Sequence, residues 1–244
     1  MADTIPVIIT KDLKKTYCNG PVETPVLKGI NMQVDAGEFL SIVGPSGSGK
    51  TTLLNIIGAL DRPTSGLVLV NGQDISSLDD SELAVLRGET IGFIFQSHYL
   101  LEEFNVLENV LMPITIRRGA ATKAEEEWVK YILNRVGMSE RLTYKPNQLS
   151  GGQAQRVAIV RALANKPKLI LADEPTGNLD TKTGQAVFQV MLDLNAEVGT
   201  AFVLVTHDER LAQQAECTLH LVDGQVVDDT CKGERKPVRV QMIS

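Results

Sequence analysis

Eight consecutive residues, Gly44-Pro45-Ser46-Gly47-Ser48-Gly49-Lys50-Thr51, carry the first chemistry that can be read from the chain. Their pattern is G-x-x-x-x-G-K-T. Glycines let the backbone wrap around a phosphate with several N–H groups turned inward. A helix that starts directly after them adds its positive end. In such a loop the lysine, here Lys50, reaches the β- and γ-phosphates, and the next hydroxyl, Thr51, holds Mg²⁺. Thr52 follows at the opening of the helix. The motif acts only between a strand and a helix, and the apolar runs Phe39–Val43 and Leu53–Ile57 supply both. The expectation is a bound nucleoside triphosphate with Mg²⁺.

A second group is Asp173-Glu174, ending the apolar run Leu169-Ile170-Leu171-Ala172. A carboxylate at the end of a buried strand beside a phosphate loop serves the metal, which gives Asp173 its role. Glu174, one residue on, is the group to orient and deprotonate an attacking water. A third is Leu149-Ser150-Gly151-Gly152-Gln153, a serine and two glycines at a helix start. The Ser150 hydroxyl, the open backbone at Gly151 and Gly152, and the helix end after Gln153 form a second anion-binding device. Two such devices for one triphosphate imply a grip from opposite sides. The chain has no N-K-x-D, the base-reading motif expected of a GTPase.

The elements that position these groups read as an α/β fold. Val7-Ile8-Ile9 and Val26–Val34 are strands flanking a polar loop around Asn19-Gly20-Pro21, with a turn at Asp35–Glu38. Leu67–Val70 runs into Asn71-Gly72, the strongest short hairpin signal. These pieces predict an antiparallel β subdomain. After a helix from Ser81 and a strand Ile91–Phe95 that stops at Gln96, residues 97–165 read as an inserted helical subdomain. Thr122-x-x-Glu125 is a capping box there. Trp128, Ile132 and Val136 recur every four residues behind it. A parallel-sheet core resumes with Leu169–Ala172 and Ala201–Val205, joined by a helix that stops at Gly199. The division expected is a nucleotide-binding core of 1–96 and 166–244, with 97–165 inserted.

Composition limits the alternatives. A net charge of −6 speaks against sequence-independent nucleic-acid binding, and no nucleic-acid partner is expected. Cys18, Cys217 and Cys231 are odd in number and widely spaced, which fits a reducing compartment and excludes a disulfide framework or zinc site. No apolar run approaches the ~20 residues that span a bilayer, and the first residues lack a signal-peptide pattern. Lys232, Arg235, Lys236 and Arg239 give a solvated basic tail.

The phosphate loop, Leu149–Gln153, Asp173-Glu174 and a histidine after a late strand together resemble the ATP-binding cassette ATPases over essentially the whole chain. The resemblance implies a P-loop ATPase fold with a parallel-sheet core, an antiparallel β subdomain and a helical subdomain. It implies that Ser150-Gly151-Gly152 caps the γ-phosphate of an ATP bound to a second copy in a head-to-tail dimer. It matches Tyr17 to the aromatic that stacks on adenine, and Gln96 to the glutamine that touches Mg²⁺ and the attacking water. Gly177-Asn178-Leu179-Asp180 matches the loop that crosses the dimer interface, and His207 the histidine that contacts the γ-phosphate. Ala172–Asp180 resembles the group containing lipoprotein-releasing, macrolide-exporting and cell-division cassettes. Ile91–Leu101 and Leu107–Pro113 look most like the lipoprotein-releasing branch, with Ser97 departing from its usual phenylalanine. Integral membrane subunits docking near Ser97–Pro113, and a peripheral place on the cytoplasmic face of the inner membrane, follow from the resemblance. Tyr99, Leu100, Leu101 and Phe104 are apolar for a loop, as an interface requires.

Overall fold

The computed structural model describes residues 6–231. The basic tail beyond Cys231 lies outside the described residues, as do the first five residues. The chain opens with strands β1 (Ile8–Asn19) and β2 (Val22–Val34), then β3 (Phe39–Val43) and helix α1 (Lys50–Ile57). Strands β4 (Ser65–Val70) and β5 (Gln73–Asp74), helix α2 (Asp80–Thr90) and β6 (Ile91–Phe95) follow. Helices α3 (Val106–Arg118), α4 (Lys123–Arg135) and α5 (Gly151–Leu163) come next. The chain continues through β7 (Leu169–Asp173), α6 (Thr181–Val198), β8 (Ala201–Val205), α7 (Glu209–Ala212), β9 (Cys217–Val222) and β10 (Gln225–Asp229).

Two sheets result, one four-stranded and antiparallel in the order β2-β1-β4-β5. The other is six-stranded in the order β10-β9-β3-β8-β7-β6, parallel except where β10 returns along β9. Alternate residues of the parallel strands serve two different cores, which is why their sequences are apolar without a break. Phe39, Ile170, Ala172, Phe202 and Leu204 face a core shared with α3–α6. Leu40, Ile42, Leu169, Leu171, Val203 and Val205 face one shared with α1 and the antiparallel sheet. Phe39 anchors the first core, stacked on Phe202 at 5.3 Å and edge-on to Phe188 at 5.6 Å.

One sequence expectation is corrected here. The polar loop around Asn19-Gly20-Pro21 is only a two-residue turn between long paired strands, with Asn19 opposite Val22 and Tyr17 opposite Thr24. Register shifts along β1 break the alternation that would have marked a strand. The Asn71-Gly72 hairpin forms as read, with both residues at positive φ and Val70 paired to Gln73.

Cys217 and Cys231, far apart in sequence, meet in the fold: β9 and the residues just after β10 bring them together beside Glu38. Sequence spacing cannot anticipate that meeting, because the register of a closing hairpin creates it.

Candidate functional site

The ends of β3, β7 and β8, neighbours in the parallel sheet, deliver the phosphate loop, Asp173-Glu174 and His207 to one edge. That is where open α/β sheets bind ligands. Gly44 is compulsory by packing: a Cβ there would stand 2.0 Å from the Leu221 carbonyl oxygen. Gly49 caps α1 at φ 102°, and a Cβ there would meet Leu27 at 2.9 Å. The β9–β10 turn braces the loop from below, with the Gly224 N–H donating to the Ser48 carbonyl at 3.0 Å. Inside the loop the Ser48 hydroxyl is buried with no hydrogen-bond partner among the described residues. An orphaned hydroxyl in a glycine cradle fits a site built for ligand oxygens. Lys50 Nζ lies over the rim, donating to the Gly44 and Pro45 carbonyls at 2.8 and 2.9 Å.

The Thr51 side chain lies close enough to act on the Asp173 carboxyl, so the first residues of α1 and the end of β7 meet. Burial pushes the Asp173 carboxyl upward and Glu174 adds to this, while Thr51 and Lys50 pull it back. Glu174 takes a left-handed backbone, φ 46°, with its N–H on the Val205 carbonyl at 2.9 Å. That bend turns its carboxylate to His207, whose Nδ1 stands 2.9 Å from both oxygens. A cavity of about 200 Å³ opens beside this pair, reaching Gly177, Asp180 and Gln185.

Tyr17 lies at the outer end of β1. Its hydroxyl donates to Asp61 at 2.8 Å and lies near the Thr52 side chain at the start of α1. Lys15 Nζ covers the ring at 4.7 Å from its centroid and also binds Asp61 at 2.6 Å. An exposed aromatic held beside a phosphate-loop helix is placed for a base.

Gln96 directly follows β6 and meets the Gly177–Asp180 loop. Its amide donates to Asn178 at 2.9 Å, and Asn178 returns a bond to the Gln96 carbonyl at 3.3 Å. The described contacts therefore join Gln96 to the Gly177–Asp180 loop and not to Thr51 or Asp173. Ser150 caps α5 in a reciprocal box with Gln153, their bonds 3.3 and 2.9 Å long. A Cβ on Gly152 would stand 2.4 Å from Thr183, and one on Gly151 3.2 Å from Leu179. Asp180 spends its carboxylate capping α6, accepting from Lys182 and Thr183 at 3.1 and 3.0 Å. No described contact joins Ser150–Gln153 to Gly44–Thr51.

Sequence reasoning missed the residues that hold the loop after β6. Buried Asn109 receives the Leu101 N–H at 2.8 Å and donates to the Leu101, Phe104 and Asn105 carbonyls at 3.0 Å. Arg161 donates to the Tyr99 and His98 carbonyls at 2.6 and 2.7 Å, its guanidinium pulled down by burial. Gln155 donates to the Phe95 carbonyl at 3.0 Å. The available signal was polarity in the wrong place: an asparagine and an arginine inside apolar helical runs. With backbone held this way, Tyr99, Leu101 and Phe104 stay exposed while Leu100 is buried.

Residues 27–177 match the family model described as ABC transporter. The chain is similar to a lipoprotein-releasing system ATP-binding protein (LolD) of Anaeromyxobacter dehalogenans, 51% identical over 224 residues, covering 92% of this chain and 94% of that protein. Its counterpart in Acinetobacter baylyi is 48% identical over 222 residues, 91% and 97% of the two chains. Among solved structures, a dimeric post-hydrolysis state of an ATP-binding cassette bound to ADP and Pi superposes with a TM-score of 0.81. It is 44% identical and covers 93% of this chain and 99% of that one. A dimeric bacterial ABC transporter cassette gives a TM-score of 0.82 at 45% identity, with the same coverage.

Proposed function

The chain belongs to the ABC transporter family, and from that membership we propose that it is the ATP-hydrolysing subunit that powers lipoprotein release through separate membrane chains. Hydrolysis of ATP is the activity of the fold. The lipoprotein assignment is supported by relatives about half identical over nine-tenths of the chain.

The observation that carries the chemistry is the meeting of Thr51, Asp173, Glu174 and His207 at one sheet edge. Gly44–Gly49 and Lys50 bind the triphosphate, and Tyr17 takes the adenine. Thr51 and Asp173, with Gln96 once its amide leaves Asn178, would hold Mg²⁺. That ion, when bound, neutralises charge developing on the phosphate oxygens. Glu174 accepts the proton of the attacking water, and His207 orients the Glu174 carboxylate and reaches the γ-phosphate. Two copies face head to tail, so that Ser150, Gly151, Gly152 and Gln153 of one close over the nucleotide of the other. Asp180 and its loop lie between them. Dimeric neighbours and the absence of a described contact between Ser150 and the chain's own phosphate loop support this arrangement.

Among the described residues no helix is long and apolar enough to cross a membrane. Tyr99, 66% exposed, with Leu101 and Phe104, forms the docking surface for membrane subunits on the 97–165 insert, at the cytoplasmic face of the inner membrane. The test is reconstitution with those subunits in vesicles carrying a lipoprotein. ATP-dependent release, lost with Lys50→Ala, is expected; hydrolysis without release by the complete assembly would refute the lipoprotein assignment.

A further inference from the structure

At the opposite end of the sheet from the phosphate loop, three side chains converge that the ATPase chemistry does not use. Glu38 stands just before β3, Cys217 begins β9, and Cys231 follows β10. One ligand atom from each lies within 4.8 Å of the other two. Cys217 and Glu38 are buried, whereas Cys231 is half-buried and gives the group an opening to solvent. We propose that Glu38, Cys217 and Cys231 form a binding site for a zinc-class divalent cation.

The donors are held by the fold. Glu38 fixes one carboxylate oxygen by accepting the Asp35 N–H at 2.7 Å and turns the other to Cys231 Sγ, 3.9 Å away. An outer hydrogen bond of this kind orients metal-ligating carboxylates. Cys231 is set opposite Cys217 by the preceding pair, where the Thr230 N–H donates to the Thr218 carbonyl at 2.9 Å. The Cys231 N–H is in turn tied to the Asp229 carboxylate at 3.2 Å. Around tetrahedral zinc, thiolate and carboxylate atoms stand roughly 3.5–3.8 Å apart. The side chains therefore close on an ion by small rotations.

Chemistry selects the occupant. Two sulfurs and one oxygen favour zinc over the hard cations that use oxygen alone. In the ion-free chain the Cys231 thiol donates to the Glu38 carboxylate; a divalent cation takes the place of the thiol protons and draws both sulfurs and the carboxylate to itself. Binding releases the two thiol protons to solvent, and a water completes the fourth position. The consequence is a clip that ties the far end of the β9–β10 hairpin to the turn before β3. The near end of the same hairpin braces Ser48 in the phosphate loop.

The experiment uses the full chain, reduced and stripped of metal, titrated with Co²⁺ as a spectroscopic probe and then with Zn²⁺. One equivalent of Co²⁺ with sulfur-to-cobalt charge transfer, displaced by Zn²⁺, is expected for the wild type and for Cys18→Ser. Cys231→Ser should lose the charge transfer it contributes, and Glu38→Gln should bind at least ~10-fold more weakly. Zn²⁺ at a hundredfold excess over Kd should raise the wild-type melting temperature by roughly 5–10 °C, without effect on Cys231→Ser. Cys231 is half-buried at the end of a strand, so its variant keeps the fold; unchanged circular dichroism checks this, and Glu38→Gln gives a second reading. Lys50→Ala should bind Zn²⁺ as the wild type does, which separates this site from the ATPase reading. No charge transfer in the wild type, or unaltered charge transfer in Cys231→Ser, overturns the site. A Cys217–Cys231 disulfide that re-forms in air, in a chain that takes up no metal when reduced, also overturns it and assigns the pair to thiol oxidation.

Discussion

His207 and Glu174 form a carboxylate–imidazole pair across two strand ends, with Nδ1 2.9 Å from each carboxylate oxygen. The histidine side chain is 74% exposed and the glutamate 20%, so the pair faces the site from its solvent side. Glu174→Gln keeps the shape and removes the base. Turnover is expected to fall by ~10²–10⁴-fold, with ATP affinity retained. His207→Ala leaves the base in place without its orienting partner, and its loss should appear in kcat with KM little changed. Steady-state hydrolysis and equilibrium nucleotide binding check both.

Asp173 behaves as a functional group held against stability. Burial raises its carboxyl, so the folded chain binds its proton more tightly than the unfolded chain does. The stability it withholds is therefore felt above its raised pKa and regained as pH falls through it. Asp173→Asn should abolish Mg²⁺-dependent hydrolysis while melting no lower than the wild type at neutral pH. The difference should shrink on acidification. Thermal melts between neutral and mildly acidic pH measure this.

Tyr17 separates its hydroxyl from its ring. Tyr17→Phe loses the bond to Asp61 but keeps the face for adenine. Tyr17→Ala removes the stacking surface, worth ~1–3 kcal/mol per base. ATP should bind Tyr17→Phe nearly as well as the wild type and Tyr17→Ala at least several-fold more weakly, read by fluorescence titration.

Asn109 holds the loop after β6, the proposed docking surface, from within. Asn109→Ala strands the Leu101 N–H and the Phe104 carbonyl, while the Leu101 and Asn105 carbonyls keep backbone donors, costing about 1–3 kcal/mol. Leu101→Asp changes only the exposed surface. Both should weaken co-purification of membrane subunits, while Leu101→Asp keeps the isolated chain's ATPase rate and melting temperature.

What the sequence carried was mostly contiguous. The phosphate loop, the helix start at Ser150, the capping box at Thr122 and the Asn71-Gly72 hairpin each lie within a few residues, so their physics is visible in the order of the letters. What it hid depended on meetings across the fold. Nothing in the order of the letters marks Asn109 and Arg161 as supports of the loop after β6, because the carbonyls they serve are set in place by the fold. Gln96 was legible as a polar strand end, but not its pairing with Asn178, 82 residues away. Cys217 and Cys231 looked unrelated because only the register of the closing hairpin sets them together.

The proposed mechanism requires ATP to be shared between two copies. Its most direct measurement is the structure of the Glu174→Gln variant trapped with ATP and Mg²⁺. Ser150 Oγ of one copy should lie within hydrogen-bonding distance of the γ-phosphate held by Lys50 of the other. A trapped assembly with Ser150 far from every terminal phosphate would contradict it.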